Sequence, residues 1–139
     1  MVNPGSGPGP GRLPDANYTR EITKLSSRGN VRLLGYVPTN YAKRNLSEVR
    51  KDIQTYAEWP TASSNPSLAV CGIFFDETPQ RYDAAALVYL KDLTDVVKRS
   101  KGLGPDNLVS PSHIAMTAYD SFFYCPALLP PRYQRCHSR

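Results

Sequence analysis

Asp76 and Glu77 are adjacent carboxylates that close a short apolar run, Val70-Cys-Gly-Ile-Phe-Phe-Asp-Glu-Thr78. Carboxylates act as general acids, general bases and nucleophiles, and they stabilise the cationic transition states of sugars. The run is too short for a helix and is bounded by a Ser/Asn/Pro stretch before it and Thr78-Pro79 after it, so it reads as a buried strand. In parallel sheets the carboxyl ends of strands are where ligands and catalytic groups collect. Next to Phe74 and Phe75, that end is an unusual place to leave charge without a use. The plainer reading is two acids ahead of a helix N-terminus, where the helix dipole favours negative charge with no further role. Adjacent strand residues point to opposite faces, so both acids reach one atom only if a turn separates them. A two-carboxylate hydrolysis requires a further acid from another strand.

The aromatic residues divide in the same way. Tyr56, Tyr82 and Tyr89 fall on helical stripes and read as core. Tyr36 lies on a strand and Tyr41 in the loop after it, where an exposed ring either stacks on a sugar face or is simply surface. Trp59, at an expected helix end, reads as structural. Lys43, Arg44, Arg50 and Lys51 form either a weak anion patch or the solvated face of a helix and its lead-in.

The elements that position these groups follow from turns and periodicity. Residues 2–11 are a loop of glycine and proline that begins as though a strand had just ended, without the Gly-Lys-Ser/Thr of a phosphate loop. Tyr18, Ile22 and Leu25 predict a helix of about three turns, capped by Asp15 or Asn17 and stopped at Gly29-Asn30. Residues 31–37 predict a strand, followed by a polar loop carrying Thr39, Asn40 and Tyr41. Asn45 with Glu48 forms a capping-box pattern for a second helix with Val49, Ile53 and Tyr56 or Ala57 on one face, ending near Trp59-Pro60. After residues 70–78, Thr78 as N-cap and Pro79 at the first position predict a third helix, with Tyr82, Ala86, Tyr89, Leu93 and Val96 or Val97 as its stripe. A last strand starts at Asn107. The tail 110–139 is apolar, broken by prolines and without period, and is expected to be irregular.

This alternation is the signature of right-handed strand-helix-strand units on a parallel sheet, an α/β class with about four parallel strands and three helices. The strand ends then gather three loops: residues 3–11, 38–45 and 76–79.

Composition narrows the function classes. A chain of 139 residues supports one domain with a real core. The formal charge of +5 is spread without a basic stripe, which ranks nucleic-acid binding last. No run approaches the roughly 18 apolar residues of a membrane span, and the N-terminus lacks the regions of a signal peptide, so as written the chain reads as intracellular. Of three cysteines, Cys71 reads as a small buried hydrophobe, and Cys125 and Cys136 form a possible tail disulfide. Neither these nor His113 and His137 make a zinc spacing, so neither metal nor cofactor is expected.

The chain resembles the spherulation-specific family 4 (spherulin-4-like) proteins of fungi and slime moulds. The residues that carry the resemblance are Val2-Asn-Pro-Gly-Ser-Gly-Pro-Gly, Val31-Arg-Leu-Leu-Gly-Tyr-Val with Asn40-Tyr41, the helix 49–59 and Gly72-Ile-Phe-Phe-Asp-Glu77. It covers residues 2–109 and implies a partial (β/α)8 TIM barrel over that span. It also implies a glycoside hydrolase that cuts α-1,4-linked galactosamine or N-acetylgalactosamine polysaccharide at the cell surface or in biofilm. Asp76 and Glu77 would then lie in the active centre, and Asn3, Tyr36, Asn40 and Tyr41 would bind the sugar. Family members are secreted or surface-bound and carry a leading strand and a second catalytic Glu on a later strand. Here no Glu follows Glu77. The alternative is therefore a catalytically inactive truncated fragment that at most binds carbohydrate.

Overall fold

The computed structural model describes residues 1–104 and 106–112. The tail from His113 on, with Cys125 and Cys136, lies outside the described residues. The element order is α1 (Ala16–Ser26), β1 (Leu34–Pro38), α2 (Leu46–Ser63), a short 3-10 turn (Pro66–Leu68), β2 (Gly72–Asp76), α3 (Ala84–Arg99) and β3 (Leu108–Pro111). β1 pairs parallel with β2 and β2 parallel with β3. Val2 adds a parallel bridge to Gly35 on the outer side of β1, with Val2 N–H donating to Leu34 O at 2.7 Å and Tyr36 N–H to Val2 O at 2.9 Å. Among the described residues, three of the four parallel strands expected stand in the sheet, and Val2 adds a single bridge beside β1. No described helix is long and apolar enough to cross a membrane.

The two faces of the sheet differ. Val37, Ile73, Phe75 and Val109 are buried together with Val49, Ile53, Tyr56 and Trp59 of α2 and Leu93 and Val97 of α3. Burying each such side chain stabilises the fold by about 1.5–3 kcal/mol. Gly35 lets α2 lie close on β1: a Cβ there would stand 2.9 Å from the Tyr56 ring. Alternation then puts Tyr36, Phe74, Asp76 and Ser110 on the face turned away from the helices, where all four are only half-buried.

The strands are shorter than or shifted from the expected runs, Leu34–Pro38 for 31–37 and Gly72–Asp76 for 70–78, and three helix boundaries differ from the sequence expectation. α1 is capped by Asp15, whose carboxylate accepts from Asn17 N–H at 2.8 Å and Tyr18 N–H at 3.0 Å, but it stops at Ser26, before Gly29. α2 does not end at Trp59-Pro60. It runs through Pro60 to Ser63, and Ser64, at φ 54, caps it by donating to Pro60 O and Thr61 O. Trp59 and Tyr56 are fully buried and meet edge to face at 4.7 Å, and this packing outweighs the backbone bond that proline removes. α3 does not start at Thr78-Pro79. Asp83 is its N-cap, accepting from Ala86 N–H at 2.8 Å. Thr78 is instead buried against β3, its hydroxyl 3.3 Å from Ser112 Oγ. Tyr82 consequently precedes the helix and is exposed, where a core position was expected. Cys71 is half-buried rather than buried.

Candidate active site at the strand ends

The site grows from the end of β2. Asp76 is its last residue, and Glu77 follows at φ 54, in the left-handed region. That single angle breaks the strand alternation between the two acids and supplies the turn their joint use requires. A non-glycine residue held there costs about 1–2 kcal/mol, and the neighbouring loop sustains it. Thr39, fully buried, donates its hydroxyl to Asp76 O at 3.1 Å and Glu77 O at 2.9 Å. Thr39 N–H donates to Asp76 O at 3.0 Å, and Tyr41 N–H donates to Glu77 O at 2.6 Å.

The Asp76 carboxylate is held at both oxygens. Tyr36 hydroxyl donates to Oδ2 at 3.0 Å, and Glu77 N–H donates to Oδ1 at 2.8 Å. Donors of this kind favour the charged carboxylate over the neutral acid. Burial, followed by the Asp76 hydrogen bond and the charges of Asp76 and Glu77, pushes the Tyr36 phenol above its ordinary value, so it stays a donor at neutral pH.

The loop after β1 is strained and braced. Asn40, Tyr41 and Ala42 all have positive φ, at 48, 55 and 65. The Tyr41 side chain on this left-handed turn is 52% exposed, while its backbone is bonded to that of Glu77. Arg44 anchors the far end of the loop. Its Nη1 donates to Pro38 O at 3.2 Å and pairs with Asp52 Oδ2 at 2.7 Å, and its carbonyl accepts from Tyr89 hydroxyl at 2.9 Å. Arg50 pairs with Asp92 on α3. Arg44 and Arg50 thus brace loops and helices. Burial raises Tyr89 above its usual pKa, and burial raises Tyr56 far above it.

Of the six residues singled out from sequence, the structure brings Tyr36, Asp76 and Glu77 together and places Tyr41 alongside through its backbone. Asn40 is exposed in the strained turn. The Asn3 side chain is used within its own loop, accepting from Gly7 N–H at 3.0 Å, while its carbonyl accepts from Tyr18 hydroxyl at 2.9 Å. A cleft of about 390 Å³ opens between that loop at Pro8–Arg12 and the first turns of α2, beside the Arg44–Asp52 pair. Thr39 was not among the sequence candidates, and a threonine after a strand-end proline gives no signal that it clamps two carbonyls on another strand.

Fold and site together define a class: a parallel strand-helix domain with an acid pair at the carboxyl ends of its strands. A family model described as Spherulation-specific family 4 matches residues 1–123, and the chain belongs to that family. It is similar to Spherulin-4 of Physarum polycephalum, 36% identical over 102 residues, which are 73% of this chain and 27% of the relative. Among solved structures it is similar to Aspergillus clavatus Sph3 in complex with GalNAc, at 72% identity and a TM-score of 0.76. That match covers 78% of this chain and 43% of the other. The chain thus spans about a quarter of the curated relative and less than half of the solved one.

Proposed function

We propose that this chain carries part of the active face of a glycoside hydrolase that cuts an α-1,4-linked galactosamine or N-acetylgalactosamine polysaccharide. The observation that carries the reading is the Asp76 carboxylate at the end of β2, held between the Tyr36 hydroxyl and the Glu77 amide. It is supported by 72% identity to a protein crystallised with GalNAc. In this role Asp76, favoured in its charged form by its donors, is the anion that attacks or stabilises the oxocarbenium-like centre. Glu77 is the adjoining acid, turned out of the strand by its left-handed backbone. A second acid across the sugar comes from another strand. The exposed Tyr41 ring offers an apolar face on which a sugar ring stacks.

The fold that accompanies this function is part of a (β/α)8 barrel. The strands lie in sequential order, Val2-β1-β2-β3, with no reversal of the kind a doubly wound sheet has at its switch point. The half-buried face bearing Tyr36, Phe74 and Ser110 is the one a closed barrel covers. A polysaccharide of this kind is met at the cell surface, so the same reading makes the protein secreted or surface-bound. Finding it confined to the cytosol of intact cells counts against that location.

The test is incubation of the full chain with galactosaminogalactan, reading new reducing ends. Asp76→Asn is expected to lower turnover by roughly 10³-fold or more, and Glu77→Gln to lower it as well. No product from the unmutated chain overturns the hydrolase reading. Saturable binding of amino-sugar oligomers without turnover leaves a binding module in its place.

A further inference from the structure

Tyr36 is fixed from three directions before it reaches Asp76. Its backbone lies between Val2 and Phe74 in the sheet. Its ring stacks on Phe74 with centroids 6.4 Å apart. Its carbonyl accepts from the buried Tyr56 hydroxyl at 3.0 Å, which also donates to Val2 O at 2.9 Å. A phenol so constrained has little freedom to follow a ligand, whereas its 3.0 Å bond to Oδ2 and the Glu77 N–H bond to Oδ1 together fix the plane of the carboxylate.

We propose that Tyr36 is a positioning residue that aims the Asp76 carboxylate and keeps it charged, rather than a sugar contact. The inference rests on the reading of Asp76 as the site's anion, and it assigns Tyr36 a role through Asp76 alone. The titratable groups that act on the Tyr36 hydroxyl are Asp76 on β2 and Glu77 on the loop after it. Arg44, on the loop after β1, is engaged by Glu48 and Asp52. Tyr56, behind the β1 backbone, is held protonated by burial.

The deciding experiment is a carbon-13 NMR titration of the Asp76 side-chain carboxyl in the full chain without substrate, followed by turnover of galactosaminogalactan. Tyr36→Phe keeps the ring on Phe74 and removes only the donor. The Asp76 midpoint is then expected to move to higher pH, and kcat to fall roughly 10- to 100-fold, the share of one hydrogen bond to a charged group. KM is expected to change by no more than about twofold. 3-Fluorotyrosine at position 36, a stronger donor, is expected to move the midpoint to lower pH. An Asp76 midpoint that neither replacement moves overturns the proposal, as does a raised KM with kcat unchanged, which makes Tyr36 a sugar contact. The titration needs no turnover, so an inactive unmutated chain sinks the hydrolase reading while the role of Tyr36 is still decided.

Discussion

At the scale of single residues, the site depends on one side chain that does no chemistry. Thr39 holds the Asp76 and Glu77 carbonyls with one buried hydroxyl, and the left-handed backbone of Glu77 depends on that grip. Thr39→Val keeps the shape and leaves each carbonyl with its backbone donor alone. It is expected to lower stability by about 0.5–1.5 kcal/mol, read by urea unfolding, and to reduce turnover of the still-folded fraction. Full activity at unchanged stability would show the clamp to be dispensable. The place of Asp76 and Glu77 at a strand end was legible in the sequence because acids closing an apolar run are a local pattern. Thr39 was not, because its partners lie 37 and 38 residues away and only the register of β1 against β2 brings them together.

At the scale of elements, local rules set the starts of helices better than their ends. Asp15 and Asn45 cap α1 and α2 as their sequence patterns imply. Pro60 misled because the rule for the residue before proline is a backbone rule, whereas Trp59 and Tyr56 are held by burial that no local window contains. Thr78-Pro79 misled for the converse reason. As a cap Thr78 competes with Asp83, a stronger capping residue, and its own hydroxyl lies against Ser112, just past β3. Because α2 tolerates Pro60 through packing, Pro60→Ala is expected to raise stability. Recovery of helix propensity, less the lost stiffness of the unfolded chain, amounts to about 1–2 kcal/mol. A lower thermal midpoint in calorimetry would mean that the proline ring itself is needed against its neighbours.

At the scale of the whole molecule, the alternation of patterns was enough to read a parallel α/β sheet with an acid pair at a strand end, since each strand-helix unit is local. Which sheet face is left half-covered was not legible, for it depends on Gly35 letting Tyr56 lie against β1. Three tyrosines, Tyr36 on that face, Tyr56 on α2 beneath the covered one and Tyr89 on α3, have pKa values that are all raised, chiefly by burial. Their folded values lie above the unfolded one, so the native state keeps protons that the unfolded chain loses. Stability is therefore full below about pH 10, the unfolded tyrosine value, and falls as pH rises from there through the folded values. The buried Tyr56 alone contributes a slope of about 1.4 kcal/mol per pH unit. Tyr56→Phe is expected to flatten that alkaline fall in denaturant titrations between pH 9 and 12, and an unchanged slope would exclude it as the source.

With Tyr41 in its proposed role as the sugar platform, the left-handed turn at Asn40, Tyr41 and Ala42 makes stability and affinity adversaries at a single position. Ala42→Gly relieves about 1–2 kcal/mol of backbone strain against roughly 0.5–1 kcal/mol of lost chain stiffness, so the variant is expected to melt slightly higher. The same substitution lets the Tyr41 ring wander, so binding of amino-sugar oligomers, followed by calorimetry, is expected to weaken. Selection for a hardier protein and selection for a better-fed one would then choose different residues at position 42, and a family sampled from warm and cool habitats is where that conflict becomes visible.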